Sequence, residues 1–500
     1  MSDFRELKQP ANLSRRKFLG IAGMSAGALA LSGCGILPGS RESLPKTPQT
    51  TKSGKVSEYS FDTASMDFDL GGRTVQTWSY NDTVPGPEIR FTEGDTLRVK
   101  VNNRLPAETT IHWHGLPIVN DMDGVPDVTQ PPIASGEQFV YEFVVPVAGS
   151  YMYHSHVGLQ LDRGLYGPLI VDPKKEDLDY DREYTLMLDD WLDGVSGTPE
   201  DAFSQLKSSG GGMGGGMMGG GDMGGGEAGS SGDIEYPLYL VNGRVADDPE
   251  TFEVRRGERV RLRLMNPAAD TVFRFAVAGH KLTVTHADGQ PVEPVEVDTV
   301  SIGMGERYDV ILKADNPGVW QMAAAPEGKS GIARTVLRYA ENGESSAPTA
   351  DARPKELDGK LLVYGDLRTT KDNSFPEDSL FGGPDRKLDL TLSGGMGDYV
   401  WAIDGQVYPD ADPLEIREGE WVRFNLQNRS MMDHPMHLHG HFFQVRNGTG
   451  RGPFKDTVIV DSHGNLSIDF VADNPGDWMF HCHNLYHLEA GMARVVSYAG

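Results

Sequence analysis

Short stretches in which apolar and polar residues alternate, separated by turns rich in Gly and Pro, extend along most of the chain. Such alternation is typical of β-strands with one buried face. One layout, a strand, a Gly followed by an acidic residue and a second strand, occurs in PEIRFTEGDTLRVKVNN (87–103), ETFEVRRGERVRLRLMNP (250–267) and PLEIREGEWVRFNLQNR (413–429). Long helical patterns are nearly absent. We therefore predict an all-β chain of three similar Greek-key β-barrel or sandwich units.

A second motif follows each copy of the first. Its copies are VAGSYMYHSHVG (147–158), NPGVWQMAAAPEG (316–328) and NPGDWMFHCHNL (474–485). The middle copy has MAAA where the outer copies have HSH and HCH. Because the layout is kept while the histidines are missing, a purely structural role for the histidines would not explain the difference.

The length also favours three domains, since 500 residues are too many for one hydrophobic core. The predicted units cover residues 55–175, 176–350 and 351–500. A low-complexity Gly- and Met-rich stretch, 210–226, lies inside the second unit and cannot pack into a core.

The N-terminus is predicted to be a targeting segment. Residues 1–33 contain SRRKFLG and a short apolar stretch that ends in LSGC, which resembles a twin-arginine (Tat) export signal joined to a lipoprotein cleavage box. Cys34 would then be lipidated and residues 34–54 would form a flexible tether; the alternative is an ordinary cleaved signal in which Cys34 is incidental. Either signal implies an extracytoplasmic protein, in the periplasm or at the cell surface.

Charge and cysteine content narrow the classes of function that the sequence allows and the roles open to Cys482. The formal net charge of −26 argues against nucleic-acid binding, which needs basic patches. The chain has two cysteines, so if Cys34 carries lipid, Cys482 has no partner for an intrachain disulfide. Cys482 is then a small buried residue, a nucleophile or a metal ligand.

Eight of the fourteen histidines form four His-x-His pairs. On a strand, residues two apart face the same side, so each pair presents two imidazoles together. Two pairs lie in the first unit and two in the third, and their imidazoles could hold several metal ions where those units face each other. The pairs are His112 and His114, His154 and His156, His437 and His439, and His481 and His483.

Cys482 lies between two of these histidines and therefore points to the opposite face of its strand. It could bind a different metal ion together with His487, Met492 and a histidine of the preceding hairpin, for which His434 is the candidate. Two histidines, a thiolate and a weak axial methionine form a blue-copper electron-transfer site. Cys482 would join this copper covalently to the metal cluster bound by its neighbours.

The motifs HWHG, HSH, HPMHLHGH and HCHNLYHLEAGM resemble the four copper motifs of the multicopper oxidases, the laccase and cuprous-oxidase family. The resemblance covers nearly the whole mature chain and implies three cupredoxin domains and four copper ions. It assigns type 1 copper to His434, Cys482, His487 and Met492, type 2 copper to His112 and His437, and the type 3 pair to His114, His154, His156, His439, His481 and His483.

The resemblance also implies an oxidoreductase that couples four one-electron oxidations to the reduction of dioxygen to water. The reducing substrate would be a phenol, an aromatic amine or a metal ion such as Cu(I), which would link the protein to copper homeostasis. The alternative is a non-enzymatic copper-binding or envelope scaffold protein, although such proteins lose motif residues. A two-metal nitrite reductase would not explain four His-x-His pairs.

Two acidic residues are candidates for supplying protons. Asp123, in DMDGVPD, lies where the family commonly has a proton-relay acid, and its alternative role is that of a turn residue before Gly. Some relatives have an acid directly after the last histidine of HCHNLYH, but here that residue is Leu488 and the acid is Glu489, so we assign Glu489 no role. The remaining histidines, His280, His286, His441 and His463, are expected to be structural or surface residues.

Four methionines, Met213, Met217, Met218 and Met223, lie in the Gly-rich stretch. Thioethers favour Cu(I), so the stretch could collect this ion or shield the type 1 site. A disordered loop of biased composition is the alternative. In cuprous oxidases the Met-rich insertion typically lies in the third domain, and its position here departs from that pattern. The sequence identifies neither the physiological reductant nor the oligomeric state.

Overall fold

The computed structural model describes residues 44, 54–208, 232–342, 345–371, 374–376, 382–395 and 397–499. The predicted signal peptide, nearly all of the predicted tether and the Gly/Met-rich stretch 210–226 lie outside the described residues. The regular elements are almost all strands, and they form six sheets. This confirms the predicted all-β fold, in which successive pairs of sheets form the first, second and third sandwich.

The first sandwich has two four-stranded sheets, ordered β2-β1-β4-β6 and β3-β8-β7-β5. Its strands are β1 (Val56–Asp69), β2 (Thr74–Tyr80), β3 (Ile89–Thr92), β4 (Thr96–Asn103), β5 (His112–His114), β6 (Gln138–Val144), β7 (Gly149–His154) and β8 (Tyr166–Asp172).

The second sandwich has a seven-stranded and a five-stranded sheet and includes the helix α1 (Pro199–Ser208). Its strands are β9 (Arg182–Trp191), β10 (Leu238–Val241), β11 (Arg244–Val245), β12 (Thr251–Val254), β13 (Arg259–Met265), β14 (Phe273–Val277), β15 (Leu282–Ala287), β16 (Gln290–Val297), β17 (Thr299–Ile302), β18 (Arg307–Lys313), β19 (Val319–Pro326) and β20 (Ala333–Tyr339).

The third sandwich has a six-stranded and a five-stranded sheet and includes the short helix α2 (Leu485–Glu489). Its strands are β21 (Arg386–Gly394), β22 (Trp401–Ile403), β23 (Leu414–Ile416), β24 (Trp421–Asn428), β25 (His434–Leu438), β26 (Phe443–Val445), β27 (Phe454–Lys455), β28 (Thr457–Val460), β29 (Asn465–Val471), β30 (Asp477–Cys482) and β31 (Ala493–Tyr498).

The threefold repeat predicted from the sequence is present in the strand pairing. The first strand of each sandwich pairs in parallel with the strand that follows the repeated Gly turn, as in β1 with β4, β9 with β13 and β21 with β24. The turn glycines Gly94, Gly257 and Gly419 have φ of 82°, 91° and 81°, a conformation that favours glycine. Each repeated glycine therefore reverses the chain between the two strands of its motif.

The sandwiches are joined by shared apolar cores. The core of the first sandwich includes Trp421, Phe442, Phe454 and Val471 of the third. A separate cluster, which includes Met152, Met187 and Trp191, joins the first sandwich to the second. The first and third sandwiches therefore face each other directly, as the distribution of the His-x-His pairs requires.

Two histidines outside the pairs belong to a repeated corner. In the second sandwich His280 Nε2 lies 2.7 Å from the hydroxyl of Tyr339, and the Trp320 indole donates to the Asn316 carbonyl at 2.7 Å. The third sandwich repeats this arrangement with His441, Tyr498, Trp478 and Asn474, at 2.6 and 2.7 Å. His280 and His441 thus link strand ends within their own sandwiches.

Helices are few and short among the described residues. Helix α1 begins with Pro199, and Thr198 and Asp201 cap it reciprocally, because the Asp201 amide donates to the Thr198 hydroxyl and the Thr198 amide to the Asp201 carboxylate. No helix in the described part of the chain is long and apolar enough to cross a bilayer.

Candidate metal centres

Two neighbouring strands of the third sandwich carry residues of both the predicted blue-copper site and the predicted histidine-bound metal cluster. In the antiparallel pair β25 and β30, His437 lies opposite His481, and Met436 lies opposite Cys482. Because successive residues alternate faces, Cys482 points into the core of the third sandwich while His481 points away from it. The middle repeat has alanines at the corresponding place, since β19 there contributes Ala323 and Ala324.

The first sandwich supplies the matching pairs. Strands β5 and β7 are antiparallel neighbours with His112 opposite His154. His114 ends β5, and His156 follows two residues after the end of β7. The four His-x-His pairs of the first and third sandwiches meet at one place, and we call these eight residues the histidine centre.

Imidazoles of the histidine centre lie within metal-sharing distance of their neighbours. The Nε2 atoms of His439 and His481 are 3.0 Å apart, and the rings of His112 and His439 stack with centroids 3.9 Å apart. Ligating atoms within 4.8 Å of one another occur in three all-histidine groups: His112, His437 and His439; His112, His114 and His154; and His156, His439 and His481.

Many ring nitrogens of this centre are buried without a hydrogen-bond partner. Buried polar atoms are nearly always paired, so a concentration of unpaired nitrogens needs an explanation. Copper fits it, because imidazole suits this metal and the nitrogens converge. The unpaired atoms are Nε2 of His112, His154, His156 and His437, Nδ1 of His114, and both ring nitrogens of His483.

Burial lowers the pKa values of seven of these eight rings, which favours the neutral form that metal binding requires. It lowers the pKa of His154 to about 3, with a further contribution from His112. Burial and neighbouring histidines also lower the pKa values of His114, His156, His437, His439, His481 and His483.

Several ring nitrogens that face away from the centre are held by backbone carbonyls. His112 Nδ1 donates to the carbonyl of Asp123 at 2.8 Å, and His437 Nδ1 donates to that of Asp456 at 2.9 Å. His481 Nδ1 donates to the carbonyl of Cys482 at 2.8 Å. Such bonds fix the tautomer and orientation of metal-binding histidines.

Asp123 is fully buried and contacts two of the histidines. Its Oδ2 lies 2.8 Å from His439 Nδ1, and its Oδ1 lies 3.2 Å from His112 Nδ1. Gly124, which follows it, has φ of 81°, and a side chain there would collide with the carbonyl of Ile111, so the chain turns here as well. The structure therefore brings the predicted acid to the histidine centre from its outer side.

The cysteine centre consists of His434, Cys482, His487 and Met492, which are all fully buried. Cys482 Sγ lies 3.6 Å from the Nδ1 atoms of both His434 and His487, and these two nitrogens are 3.1 Å apart. Three donors at ~2.1 Å from one ion in a trigonal arrangement would lie ~3.6 Å apart, so the triangle fits one copper ion.

Backbone hydrogen bonds bring Met492 beside this triangle. The Cys482 amide donates to the Met492 carbonyl at 3.0 Å, and the Met492 amide donates to the His487 carbonyl at 2.9 Å. Asn484 caps α2 by accepting from the amides of Tyr486 and His487. Burial raises the pKa of the Cys482 thiol, which a bound metal ion would deprotonate.

Sequence reasoning missed the residues that hold the imidazoles of the cysteine centre. His434 Nε2 lies 2.8 Å from the Ser430 hydroxyl, and His487 Nε2 lies 2.8 Å from Asp233 Oδ2. The Trp401 ring lies over His487 with centroids 4.0 Å apart. Asp233 comes from the second sandwich, and no local pattern in the sequence marks it.

The described residues on both sides of the Gly/Met-rich stretch contact the surroundings of the cysteine centre. Before it, Phe203 of α1 packs against Tyr399 and Tyr486 at centroid distances of 6.2 and 6.1 Å. After it, Asp233 accepts hydrogen bonds from His487 and from the Tyr399 hydroxyl, the latter at 2.7 Å. The described residues that flank the stretch on both sides thus lie near this centre, which their position in the sequence did not indicate.

The remaining acidic residue and histidines considered from the sequence lie at the edge of the histidine centre or away from both centres. Glu489 and Leu488 line a small pocket together with the rings of His154, His156, His481 and His483. His286 lies 3.1 Å from the Thr285 hydroxyl in the second sandwich, and His463 occupies a turn with φ of 56°. Among the described residues, neither histidine belongs to a group of three potential metal ligands.

Comparison with known proteins identifies the family. Three family models, each described as Multicopper oxidase, match residues 63–176, 182–342 and 383–499. The chain therefore belongs to the multicopper oxidase family, copper is its cofactor, and it is a copper-dependent oxidase.

Individual relatives agree with this assignment. The chain is 42% identical over 499 residues to multicopper oxidase MmcO of Mycobacterium tuberculosis, covering 97% of this chain and 96% of that protein. It is 29% identical to a copper resistance protein A homolog of Pseudomonas syringae pv. tomato, covering 97% and 99%. The crystal structure of a laccase from Botrytis aclada matches with a TM-score of 0.74 and 26% identity, over 90% of this chain and 89% of that one. These neighbours confirm the predicted cupredoxin-like fold.

Proposed function

We propose that the protein couples four one-electron oxidations at the cysteine centre to the reduction of dioxygen to two waters at the histidine centre. The observation that carries this proposal is the strand β30, in which Cys482 belongs to one centre and the adjacent His481 to the other. A sulfur in one centre is therefore joined to an imidazole in the other through consecutive residues. Copper, when bound, supplies the electron transfer and the redox chemistry of dioxygen.

The proposed distribution is one type 1, one type 2 and two type 3 copper ions. His434, Cys482, His487 and Met492 hold the first. His112 and His437 hold the second. The pair is held by the rest of the histidine centre: His114, His154, His156, His439, His481 and His483. The unpaired nitrogens on six of these eight histidines support this distribution.

Oxygen consumption tests the reaction directly. In an oxygen electrode with a one-electron reducing dye, we expect four equivalents of dye to be oxidised for each dioxygen consumed, with no peroxide released. A protein that binds copper but consumes no oxygen would favour the alternative of a copper reservoir or scaffold. The full set of twelve predicted ligands, brought together in two clusters, argues against that alternative.

Asp123 is the proposed proton donor to the histidine centre. Its carboxylate lies against His112 and His439, and general acid catalysis typically contributes 10²- to 10⁴-fold to a rate. Asp123→Asn keeps the shape of the side chain and should slow dioxygen turnover while the blue absorption of the cysteine centre persists. Unchanged turnover would remove Asp123 from the mechanism.

We propose that electrons enter through His487 and that Cu(I) is a substrate. Asp233, whose carboxylate is bonded to His487, is 13% exposed, so an anionic group stands between solvent and a buried ligand. Described residues on both sides of the Gly/Met-rich stretch, Phe203 before it and Asp233 after it, contact the surroundings of the cysteine centre, and soft thioethers favour Cu(I). A phenol or aromatic amine is the other substrate class that the family allows.

Steady-state rates with Cu(I), Fe(II), Mn(II) and a phenol distinguish these substrates. A variant that lacks residues 210–226 should oxidise Cu(I) more slowly and oxidise a phenol at the wild-type rate. Equal loss with both substrates would point to damage at the cysteine centre, and an unchanged Cu(I) rate would remove the stretch from the function.

The protein is proposed to act outside the cytoplasm after twin-arginine export, with a lipid anchor at Cys34. Twin-arginine export carries folded proteins, which suits a metalloprotein. Replacing Cys34 with Ala should release the protein from the membrane fraction without changing its copper content. Release of the wild-type protein from the membrane fraction by salt alone would rule out the lipid anchor.

A further inference from the structure

The second sandwich contributes no member of the histidine centre, yet one of its loops packs directly on two of the rings. A Cβ atom built on Gly305 would lie 2.9 Å from His483 Cδ2 and 3.0 Å from His114 Cε1. Gly305 also has φ of 87°, a conformation that favours glycine. Glycine is therefore required here both by the backbone and by the rings it touches.

Two residues after this glycine, Arg307 forms a fully buried ion pair with Asp456 of the third sandwich. The two guanidinium nitrogens Nη1 and Nη2 each donate to one carboxylate oxygen at 2.6 Å. Nη1 also donates to the Gly305 carbonyl at 2.9 Å, and Nε donates to the carbonyl of Ser150 in the first sandwich at 3.2 Å. One side chain thus ties all three sandwiches together.

The ion pair continues to a ring of the histidine centre. Asp456 Oδ1 lies 3.2 Å from His114 Nε2, and the Thr457 hydroxyl lies 3.1 Å from the same nitrogen. Because His114 Nδ1 is the unpaired nitrogen, Nε2 carries the proton and donates it to these oxygens. Four other rings direct Nδ1 to a backbone carbonyl, whereas His114, like His439 beside Asp123, has a carboxylate as the partner of its outward-facing nitrogen.

The backbone at Gly115, next to His114, packs directly against the same ion pair. A Cβ atom on Gly115 would lie 2.6 Å from Asp456 Oδ2 and would also collide with the Arg307 guanidinium. Asp288 of the second sandwich holds the backbone at Asp456, since its Oδ2 accepts hydrogen bonds from the amides of Asp456 and Thr457 at 3.2 and 3.1 Å. Asp456 is therefore held by hydrogen bonds at both its carboxylate and its backbone amide.

We propose that Arg307 and Asp456 are positioning residues, which hold His114 in the tautomer and orientation that present Nδ1 to copper. The second sandwich would then be a functional part of the copper centre, although it supplies no ligand. This inference rests on the proposed copper ligation. It assigns to the Arg307–Asp456 pair a role beyond that of a buried ion pair that stabilises the packing of sandwiches.

The test compares Arg307→Lys with a matched control. Lysine keeps the charge but cannot donate two parallel hydrogen bonds to a carboxylate. Arg423→Lys alters another buried bidentate pair, with Asp469 at 2.6 and 2.8 Å, which is not among the contacts of the copper-binding histidines. Copper retained per chain is measured on purified holoprotein during titration with a chelator, together with the blue absorption of the cysteine centre and the unfolding midpoint.

We expect Arg307→Lys to weaken copper binding at the histidine centre by 10- to 100-fold, the usual effect of losing a partner that orients a ligand. The blue absorption should remain, and Arg423→Lys should lower the unfolding midpoint without loss of copper. Full copper retention in Arg307→Lys, or equal copper loss in both variants, would overturn the inference.

A second variant covers the case in which Arg307→Lys does not fold. Thr457→Val removes a hydroxyl that contacts His114 Nε2 but leaves every buried charge in place. It should also weaken copper binding at the histidine centre, and unchanged binding would overturn the inference. Wild-type protein that fails to bind four copper ions would instead contradict the proposed function, so the two failures are distinguishable.

Discussion

Replacing Gly305 with Ala tests how closely the second sandwich is fitted to the histidine centre. Gly257 is a matched control in the same sandwich, because its φ is 91° against 87° for Gly305 but no atom lies within 4 Å of its Cβ position. Both variants lose about 1–2 kcal/mol of stability from a side chain in the left-handed region. Only Gly305→Ala also meets the rings of His114 and His483.

The magnitude of the additional effect follows from the contact distances. Carbon atoms pack at about 3.5–4.0 Å, so a methyl group 2.9 Å from His483 must displace the ring or the loop by roughly half an ångström or more. Such overpacking typically costs about 1–3 kcal/mol. The displacement also exceeds the tolerance of about 0.2 Å within which metal–ligand distances normally fall.

The assay compares unfolding midpoints in urea, copper per chain and blue absorption for the two variants. We expect Gly257→Ala to lose about 1–2 kcal/mol of unfolding free energy and to keep all its copper. Gly305→Ala should lose about 2–5 kcal/mol of unfolding free energy and part of the copper of the histidine centre. The blue absorption should remain in both. Equal stability and full copper in the two variants would refute the reasoning.

Three further predictions concern single features of the site. Cys482→Ser should abolish the blue absorption, remove one copper ion per chain and reduce dye oxidation to background; retention of the colour would place the chromophore elsewhere. His441→Phe removes the contact at 2.6 Å with the Tyr498 hydroxyl, so it should destabilise the third sandwich by about 1–3 kcal/mol, and an unchanged urea-unfolding midpoint would contradict this structural role. The pKa of buried His154 is lowered from 6.5 to about 3, so unfolding takes up a proton between these two pH values. The contribution of His154 to the stability of the apoprotein should be complete above pH 6.5 and fall as the pH drops towards 3, and a flat urea-unfolding profile over this range would contradict the burial of a neutral imidazole.

The strands and the grouping of the His-x-His pairs could be predicted from the sequence because both depend on local spacing. Residues two apart on a strand face the same side, so His481 and His483 could be grouped, and Cys482 could be separated from them, without knowledge of the fold. The threefold repeat was visible for a similar reason, since each Gly turn such as Gly257 is encoded by adjacent residues.

The partners of the ligands could not be predicted, because they come from distant parts of the chain. Asp233 reaches His487 from the second sandwich, and Arg307 reaches Asp456 across another interface. Neither residue lies in a motif with metal-ligand spacing. Only tertiary packing identifies them, and the same packing shows that described residues on both sides of the Gly/Met-rich stretch contact the surroundings of the cysteine centre.

The most direct test of the account is the copper content of the purified full-length holoprotein, measured together with its visible absorption. The account predicts four copper ions per chain and an intense blue colour that disappears when a reductant is added without oxygen and returns with air. A colourless protein after full metallation, or one bound copper ion per chain, would contradict it.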